Sequence, residues 1–324
     1  MSQRSNFKTL RSRLENTIVG QPKLLNQILI ALLADGHLLV EGAPGLAKTK
    51  TIKALADALE GSFQRIQFTP DLLPADITGT EIYRPQDGSF HFQPGPIFHS
   101  IVLADEVNRA PAKVQAALLE AMAERQVSVG KKTHPLPELF LVMATQNPIE
   151  QEGTYPLPEA QLDRFLIKAT IDYPDLATER KILHLARREV KQALASANTP
   201  DKVSKLPQAA IFAARQEILN INMVPEVEDY LLQMIVATRD PGKVHPPFAG
   251  QLDYGASPRA TLALDRCARA HAWLQDREFV TPDDVQMVLP DVLQHRIGLS
   301  FAAEADGLTP LDFIEELLLQ VSAP

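Results

Sequence analysis

Gly42-Ala43-Pro44-Gly45-Leu46-Ala47-Lys48-Thr49 is the stretch whose reading decides the rest of this chain. The apolar run Leu38-Leu39-Val40 precedes it, and a helix-forming stretch, Thr51 to Leu59, follows. Strand, Gly-rich turn, helix is the context in which a G-x-x-x-x-G-K-[ST] pattern binds phosphate. Backbone N–H groups of the turn and the positive end of the helix surround an anion, Lys48 reaches the outer phosphates, and the Thr49 hydroxyl can hold Mg²⁺. The pattern predicts a nucleoside triphosphate site. One residue departs from it: Ala47 stands where Gly usually precedes the Lys.

Upstream, residues 7–16 and 21–35 read as two helices separated by Val19-Gly20-Gln21. Downstream, Phe63 to Phe68 is a second apolar run, which completes a βαβ unit and implies a parallel sheet. Thr80–Arg84 and Ser89–Gln93 each alternate around Asp87-Gly88, predicting a β-hairpin inserted in the βα alternation.

Ile101-Val102-Leu103-Ala104-Asp105-Glu106 is the next fixed point. Four apolar residues predict a buried parallel strand, and its two carboxylates fall at the C-terminal end, where open α/β sheets place ligands. Asp105 is the expected Mg²⁺ carboxylate, and Glu106 is expected to orient and polarise an attacking water. Pro111 to Glu124 reads as an amphipathic helix, followed by a hairpin over Val127 to Pro137 that carries Lys131-Lys132. A third buried strand, Leu139 to Ala144, ends in Thr145-Gln146-Asn147-Pro148. Its Asn147 can hydrogen-bond the same water or the γ-phosphate, or can simply be a turn former before Pro. Arg164, in Leu162-Asp163-Arg164-Phe165, also has two readings: half of a surface ion pair with Asp163 or Glu159, or a guanidinium directed at a neighbouring subunit's nucleotide.

After Tyr173-Pro174-Asp175 the chain reads as almost wholly helical, with Glu278-Phe279-Val280 as the one short extended stretch. Arg259 falls in the first turn of a helix that starts at Pro258, where a cation opposes the helix dipole. Arg259 is then either an ordinary solvent-exposed Arg or a residue held in spite of that cost for a functional role. The expected division is 1–175 for an α/β nucleotide-binding domain, with the inserted hairpin at about 70–98. A linker and helix follow over 176–205, then an all-α domain over 206–324.

Composition bounds the partners. With 324 residues, 45% hydrophobic and 22% charged, the chain has room for two domains and a well-buried core. Its 32 basic and 40 acidic residues give a net charge of −8, which disfavours an electrostatic grip on nucleic acid. A single cysteine, Cys267, fits a reducing, cytoplasmic home. Met1 to Arg13 is polar, and apolar runs such as Ile28 to Ala34 are too short to span a bilayer, so membrane association is expected only through a partner.

In this order, the phosphate loop, the Asp-Glu strand, the Asn-bearing strand, Leu-Asp-Arg-Phe and a helical second domain resemble the AAA+ ATPases, and more narrowly the MoxR family. The narrower resemblance rests on Val19-Gly20-Gln21, the Gly42–Thr49 loop including Ala47, Gly95-Pro96-Ile97-Phe98 and Ala104-Asp105-Glu106-Val107-Asn108-Arg109. It rests equally on Ala117 to Met122, Ala144 to Pro148, Leu162 to Phe165 and Ala256 to Ala260. It implies an α/β fold: an AAA+ P-loop NTPase core with a parallel sheet in an αβα sandwich, then a smaller all-α lid. It also implies that Val19 and Gly20 join Gly42, Ala43, Pro44, Gly45, Leu46, Ala47, Lys48 and Thr49 in binding ATP, with Thr49 and Asp105 on Mg²⁺. Glu106, Asn147 as sensor 1, Arg164 as the trans-acting arginine finger and Arg259 as sensor 2 are then catalytic, with Arg109 a lower-ranked rival for the finger. The two hairpins match the helix-2 insertion and the hairpin before sensor 1, which face the pore and touch substrate in ring-forming relatives. The family further implies a homo-oligomeric, hexameric ring, von Willebrand factor A domain partners and a protein client whose complexes are remodelled or matured. A nucleic-acid motor, a metal-chelatase motor subunit and a small-molecule kinase are the competing readings.

Overall fold

The computed structural model describes residues 3–43, 46, 48–147, 153–195 and 204–324. Pro44, Gly45 and Ala47 of the phosphate loop lie outside the described residues.

In chain order the elements are α1 (Gln3–Thr17), α2 (Pro22–Leu33), β1 (Leu38–Gly42), α3 (Lys48–Ala58), β2 (Phe63–Gln67), α4 (Pro74–Thr78), β3 (Gly79–Arg84), β4 (Ser89–Pro94), β5 (Ile101–Asp105), α5 (Ala112–Glu124), β6 (Gln126–Val129), β7 (Lys132–Pro135) and β8 (Leu141–Gln146). They continue with α6 (Glu159–Leu162), β9 (Ile167–Ile171), α7 (Leu176–Ala195), α8 (Gln208–Leu219), α9 (Pro225–Ala237), α10 (Pro241–Val244), β10 (Leu252–Tyr254), α11 (Pro258–Leu274), α12 (Pro282–Leu293), β11 (Gly298–Leu299), α13 (Phe301–Ala305) and α14 (Pro310–Gln320).

The chain divides into two compact units, one of residues 1–29, 40–155 and 170–211, the other of 30–39, 156–169 and 212–324. The main sheet has the strand order β2-β5-β8-β1-β9. Every residue of β5 is buried, as expected of a central parallel strand covered on both faces. Strand register sets the position of each neighbour's C-terminal end. Gln67 pairs with Asp105 across β2–β5, and Ala104 pairs with Ala144 across β5–β8. Three strands therefore end level, and the polar residues at their C-terminal ends come side by side.

The two expected hairpins are present. β3 pairs with β4 from Gly79↔Pro94 to Arg84↔Ser89, and β6 pairs with β7 from Gln126↔Pro135 to Val129↔Lys132. They touch: the Phe92 ring stacks on His134 at 3.8 Å between centroids. Tyr83 and Phe90 form an exposed aromatic pair at 5.3 Å on the first hairpin.

In the second unit, α9, α11, α12 and α14 bury Tyr230, Leu231, Leu264, Cys267, Val288, Leu289, Phe313 and Leu317. The helix starts are built as their sequences require. Ser257 caps α11 by accepting the Arg259 N–H at 3.1 Å, and Thr281 and Thr309 form capping boxes with Asp284 and Asp312.

Two expectations are corrected here. Glu278–Val280 is not the one extended stretch: β10 and β11 pair antiparallel, Leu252↔Leu299 and Tyr254↔Gly298. Gly298 permits the pairing, because a Cβ there would lie 2.0 Å from the Tyr254 ring. The helix expected over Pro282–Leu289 runs on through Pro290 to Leu293. A proline forfeits one helical hydrogen bond, and burial of Val292 and Leu293 offsets that loss. Among the described residues, no helix is long and apolar enough to cross a membrane.

Candidate nucleotide site

The level strand ends create the site. Asp105 is buried at the end of β5, and its Oδ1 accepts the Thr145 hydroxyl at 2.6 Å. The same hydroxyl oxygen accepts the Glu106 N–H at 2.9 Å. Glu106 stands in the left-handed region, with φ 58° and ψ 50°. A non-glycine residue held there carries backbone strain on the order of 1 kcal/mol or more, of the kind that concentrates at functional sites. Thr145 is therefore the clamp that keeps Glu106 turned out of the strand.

Both carboxylates are engaged within the chain. Arg65 donates to Asp105 Oδ2 through Nε at 3.0 Å and through Nη2 at 2.6 Å. Gln67 donates to Glu106 Oε2 at 2.7 Å, and Arg109 donates to the same oxygen at 3.0 Å. Arg65 also reaches the Gln67 side-chain oxygen at 2.9 Å, closing the network. Strand alternation explains it: Arg65 and Gln67 are two apart on β2, hence on one face, level with Leu103 and Asp105.

Lys48 opens α3 and turns its Nζ to the Gly42 carbonyl at 2.8 Å and the Gln146 carbonyl at 3.4 Å. Lys48 thus bridges the ends of β1 and β8. Thr49 follows, half-buried, in the first turn of the same helix, and Asn147 is buried just beyond β8.

Beside the loop lies a cavity of about 150 Å³ with Ile18, Val19, Gly20, Leu46, Pro174 and Ile182 in its walls. That is the scale of a cavity that takes a flat aromatic ring. The Gln21 amide donates to the Leu46 carbonyl at 2.9 Å, tying this wall to the phosphate loop. Gly20 has φ +86°, and a Cβ on it would meet the Thr178 methyl at 2.2 Å, so only glycine fits. Val19 and Gly20 therefore line a small cavity that also borders Leu46 and Lys50. The donors for a metal also fit: the Thr49 hydroxyl and the Asp105 carboxylate are hard oxygen ligands of the kind Mg²⁺ takes, and Asp105 already faces a cation in Arg65.

Arg164 and Arg259 lie together in the second unit. Arg259 Nη1 is 3.7 Å from Asp163 Oδ2, and Arg164 Nε is buried without a hydrogen-bond partner. Of the readings of Arg164, the ion pair with Asp163 is not formed among the described residues; Arg296 and Ser257 take the Asp163 carboxylate. Arg109 is paired in cis with Glu106. Arg65, Gln67 and Thr145 are site residues that the sequence reading did not single out. The available signal was polar side chains at the C-terminal ends of buried strands.

The ATPase family associated with various cellular activities (AAA) matches residues 37–167, and the AAA lid domain matches residues 249–317. The chain is 46% identical over 309 residues to the chaperone MoxR1 of Mycobacterium tuberculosis, covering 95% of this chain and 79% of that protein. It is 40% identical over 311 residues to YeaC of Bacillus subtilis, covering 96% and 92%. A crystal structure from Cytophaga hutchinsonii, whose protein is named as a candidate ATPase, superposes with a TM-score of 0.89 at 43% identity over 99% of this chain and 96% of that one. The α/β core with its parallel sheet and the helical lid are thus the AAA and AAA-lid folds, and the chain belongs to the MoxR family of AAA+ ATPases.

Proposed function

We propose that this protein hydrolyses ATP to ADP and phosphate in an Mg²⁺-dependent reaction, and uses the cycle to remodel or mature protein complexes. The observation that carries the proposal is the Asp105–Thr145–Glu106 clamp at the level strand ends, beside Lys48. Phosphoryl transfer to water needs a phosphate cradle, a metal carboxylate and a base together, with positioning and charge stabilisation as the main tools.

The proposed roles rest on the clamp geometry for Asp105 and Glu106 and on the family resemblance for the remainder. Val19 and Gly20 receive the base, the Gly42–Thr49 loop receives the phosphates, and Lys48 exchanges its carbonyl contacts for phosphate oxygens. Thr49 and Asp105 would hold Mg²⁺, which when bound neutralises charge between the outer phosphates. Glu106 accepts the proton of the attacking water once Gln67 and Arg109 release its carboxylate. Asn147 orients that water. Arg259 acts as sensor 2 on the γ-phosphate, and Arg164 acts as the finger on a neighbouring subunit. The cis pairing of Arg109 with Glu106 favours Arg164 over Arg109 for the finger.

A finger acting in trans requires a homo-oligomer, for which a hexameric ring is the reading, located in the cytoplasm. The exposed Tyr83 and Phe90 on the first hairpin, packed through Phe92 on the second, suit contact with a protein client. Von Willebrand factor A domain proteins are the proposed partners. The net charge of −8 disfavours a nucleic-acid substrate.

The test is phosphate release per subunit, measured from concentrations at which the protein is monomeric to those at which it assembles. A trans-acting arginine contributes roughly 10³- to 10⁵-fold. A steep rise in specific activity supports the reading, and a flat profile removes the neighbour from the site.

A further inference from the structure

Asp163 immediately precedes Arg164, and its two carboxylate oxygens serve different elements. Oδ1 accepts Arg296 Nε at 2.9 Å, whereas Oδ2 accepts the Ser257 hydroxyl at 2.8 Å and lies 3.7 Å from Arg259 Nη1. The first contact is an anchor. The Arg296 side chain is 2% exposed, and it also donates to the carbonyls of Leu166, Val292 and Phe165, fixing the backbone on the C-terminal side of Arg164 to the end of α12. Burial pulls the Arg296 guanidinium below its ordinary pKa, and the charge of Asp163 works against that pull. Removing Asp163 would therefore leave a buried cation without its counter-ion.

The second contact reaches a helix start. Ser257 is the N-cap of α11, so one hydroxyl both accepts the Arg259 N–H at 3.1 Å and donates to Asp163. A continuous hydrogen-bonded path thus runs from the Arg259 backbone through Ser257 to the residue beside Arg164. The Arg259 side chain, 59% exposed, is free to move between Asp163 and a phosphate, which carries more charge. When it leaves, Ser257 becomes the remaining link between Asp163 and α11.

We infer that Asp163, through Ser257, is a positioning residue that makes the placement of Arg164 depend on whether Arg259 grips the subunit's own nucleotide. The inference rests on the roles given above to Arg164 and Arg259. Its consequence is directional coupling around the assembly: a subunit with γ-phosphate in its own site presents its finger correctly to the next site, and an empty subunit does not. ATP turnover should then be cooperative in ATP, and the cooperativity should pass through a bond that touches no nucleotide.

The test uses Ser257 in the full-length assembled protein. Ser257→Gly removes the donor to Asp163 at little cost to the helix start, because glycine is nearly as good an N-cap. Ser257→Thr keeps both roles of the hydroxyl. With Ser257→Gly, turnover is expected to fall about 10- to 100-fold, the scale for misplacing a positioned catalytic group. The Hill coefficient for ATP should drop to about 1. ATP affinity, measured with Glu106→Gln also present to prevent turnover, should change by less than about threefold, and Ser257→Thr should restore wild-type behaviour.

The decisive comparison is Ser257→Gly added to Arg164→Ala, where it should cost nothing further if Ser257 acts through Arg164. Equal, additive losses in the two backgrounds would overturn the inference, as would a wild-type Hill coefficient in a folded Ser257→Gly protein. If Ser257→Gly fails to assemble, Ser257→Asp serves: it keeps the cap and turns the donor into a carboxylate facing Asp163, with the same expectations. Failure of the underlying reading looks different, since Arg164→Ala and Arg259→Ala would then each hydrolyse ATP at the wild-type rate.

Discussion

The Thr145 hydroxyl lies 2.6 Å from the Asp105 carboxylate and passes that contact on to the Glu106 N–H at 2.9 Å. One side chain on β8 therefore orients both acidic residues that end β5. It does so from the next strand, because the β5–β8 register sets Ala104 level with Ala144.

Thr145→Val keeps the volume and removes the hydroxyl. Loss of a hydrogen bond that orients a metal carboxylate typically costs about 10- to 100-fold in activity or metal affinity. ATP turnover is expected to fall in that range, while Thr145→Ser retains most of it. Steady-state phosphate release, with nucleotide binding by fluorescence as the control, separates the two.

Arg65 sits on the carboxylate assigned to Mg²⁺, so metal and guanidinium compete for Asp105. The Arg65 side chain is about half exposed, which limits such a pair to roughly 0.2–1 kcal/mol. Arg65→Gln should accordingly lower the Mg²⁺ concentration for half-maximal nucleotide binding, by up to about fivefold. A rise in that concentration would instead make Arg65 a supporter of the metal site.

How much of this was legible in the sequence depends on distance along the chain. The strand and helix that flank the phosphate loop, the Asp105-Glu106 strand end, the two hairpins and the run of helices from α8 onward are local patterns of spacing and composition, and each appears where its residues predicted. The contacts of Arg65, Gln67 and Thr145 depend on the register between strands that are far apart in sequence, and no local period specifies a register. The Ser257–Asp163 bond joins residues 94 apart. Nothing near Arg164 announces that its neighbour is claimed by a helix cap and by Arg296. The β10–β11 pair was missed for the same reason. Its strands are two or three residues long and are defined only by each other.

His295 gives the second unit a pH dependence. Its ring is buried with Nε2 3.0 Å from the Phe165 carbonyl, and burial together with the Arg296 charge holds its pKa well below the ordinary value. A histidine with a lowered folded pKa contributes stability that is fully present above its unfolded pKa of about 6.5 and is lost as pH falls toward the folded value. Stability is expected to fall as pH drops below about 6.5, by up to about 1.4 kcal/mol per pH unit from this group, and melting temperature falls with it. Asp284 adds a second loss at lower pH. Burial opposes its ionisation, but hydrogen bonds from Arg277, His271 and Thr281 outweigh burial and hold the carboxyl well below its ordinary range, so its contribution starts to be lost below about pH 4 and is gone only well below that. Thermal melts across pH, compared with those of His295→Gln, measure the first effect, which that substitution should flatten.

The central claim is that Glu106, held in its strained turn by Thr145, is the base of an ATP-hydrolysing site. Single-turnover hydrolysis by Glu106→Gln, measured on assembled protein with ATP binding followed in the same sample, tests it most directly. Binding should persist within about threefold while the hydrolysis rate falls by roughly 10²- to 10⁴-fold, the contribution of a positioned general base. Wild-type hydrolysis in that variant would contradict the assignment and, with it, the account of the site.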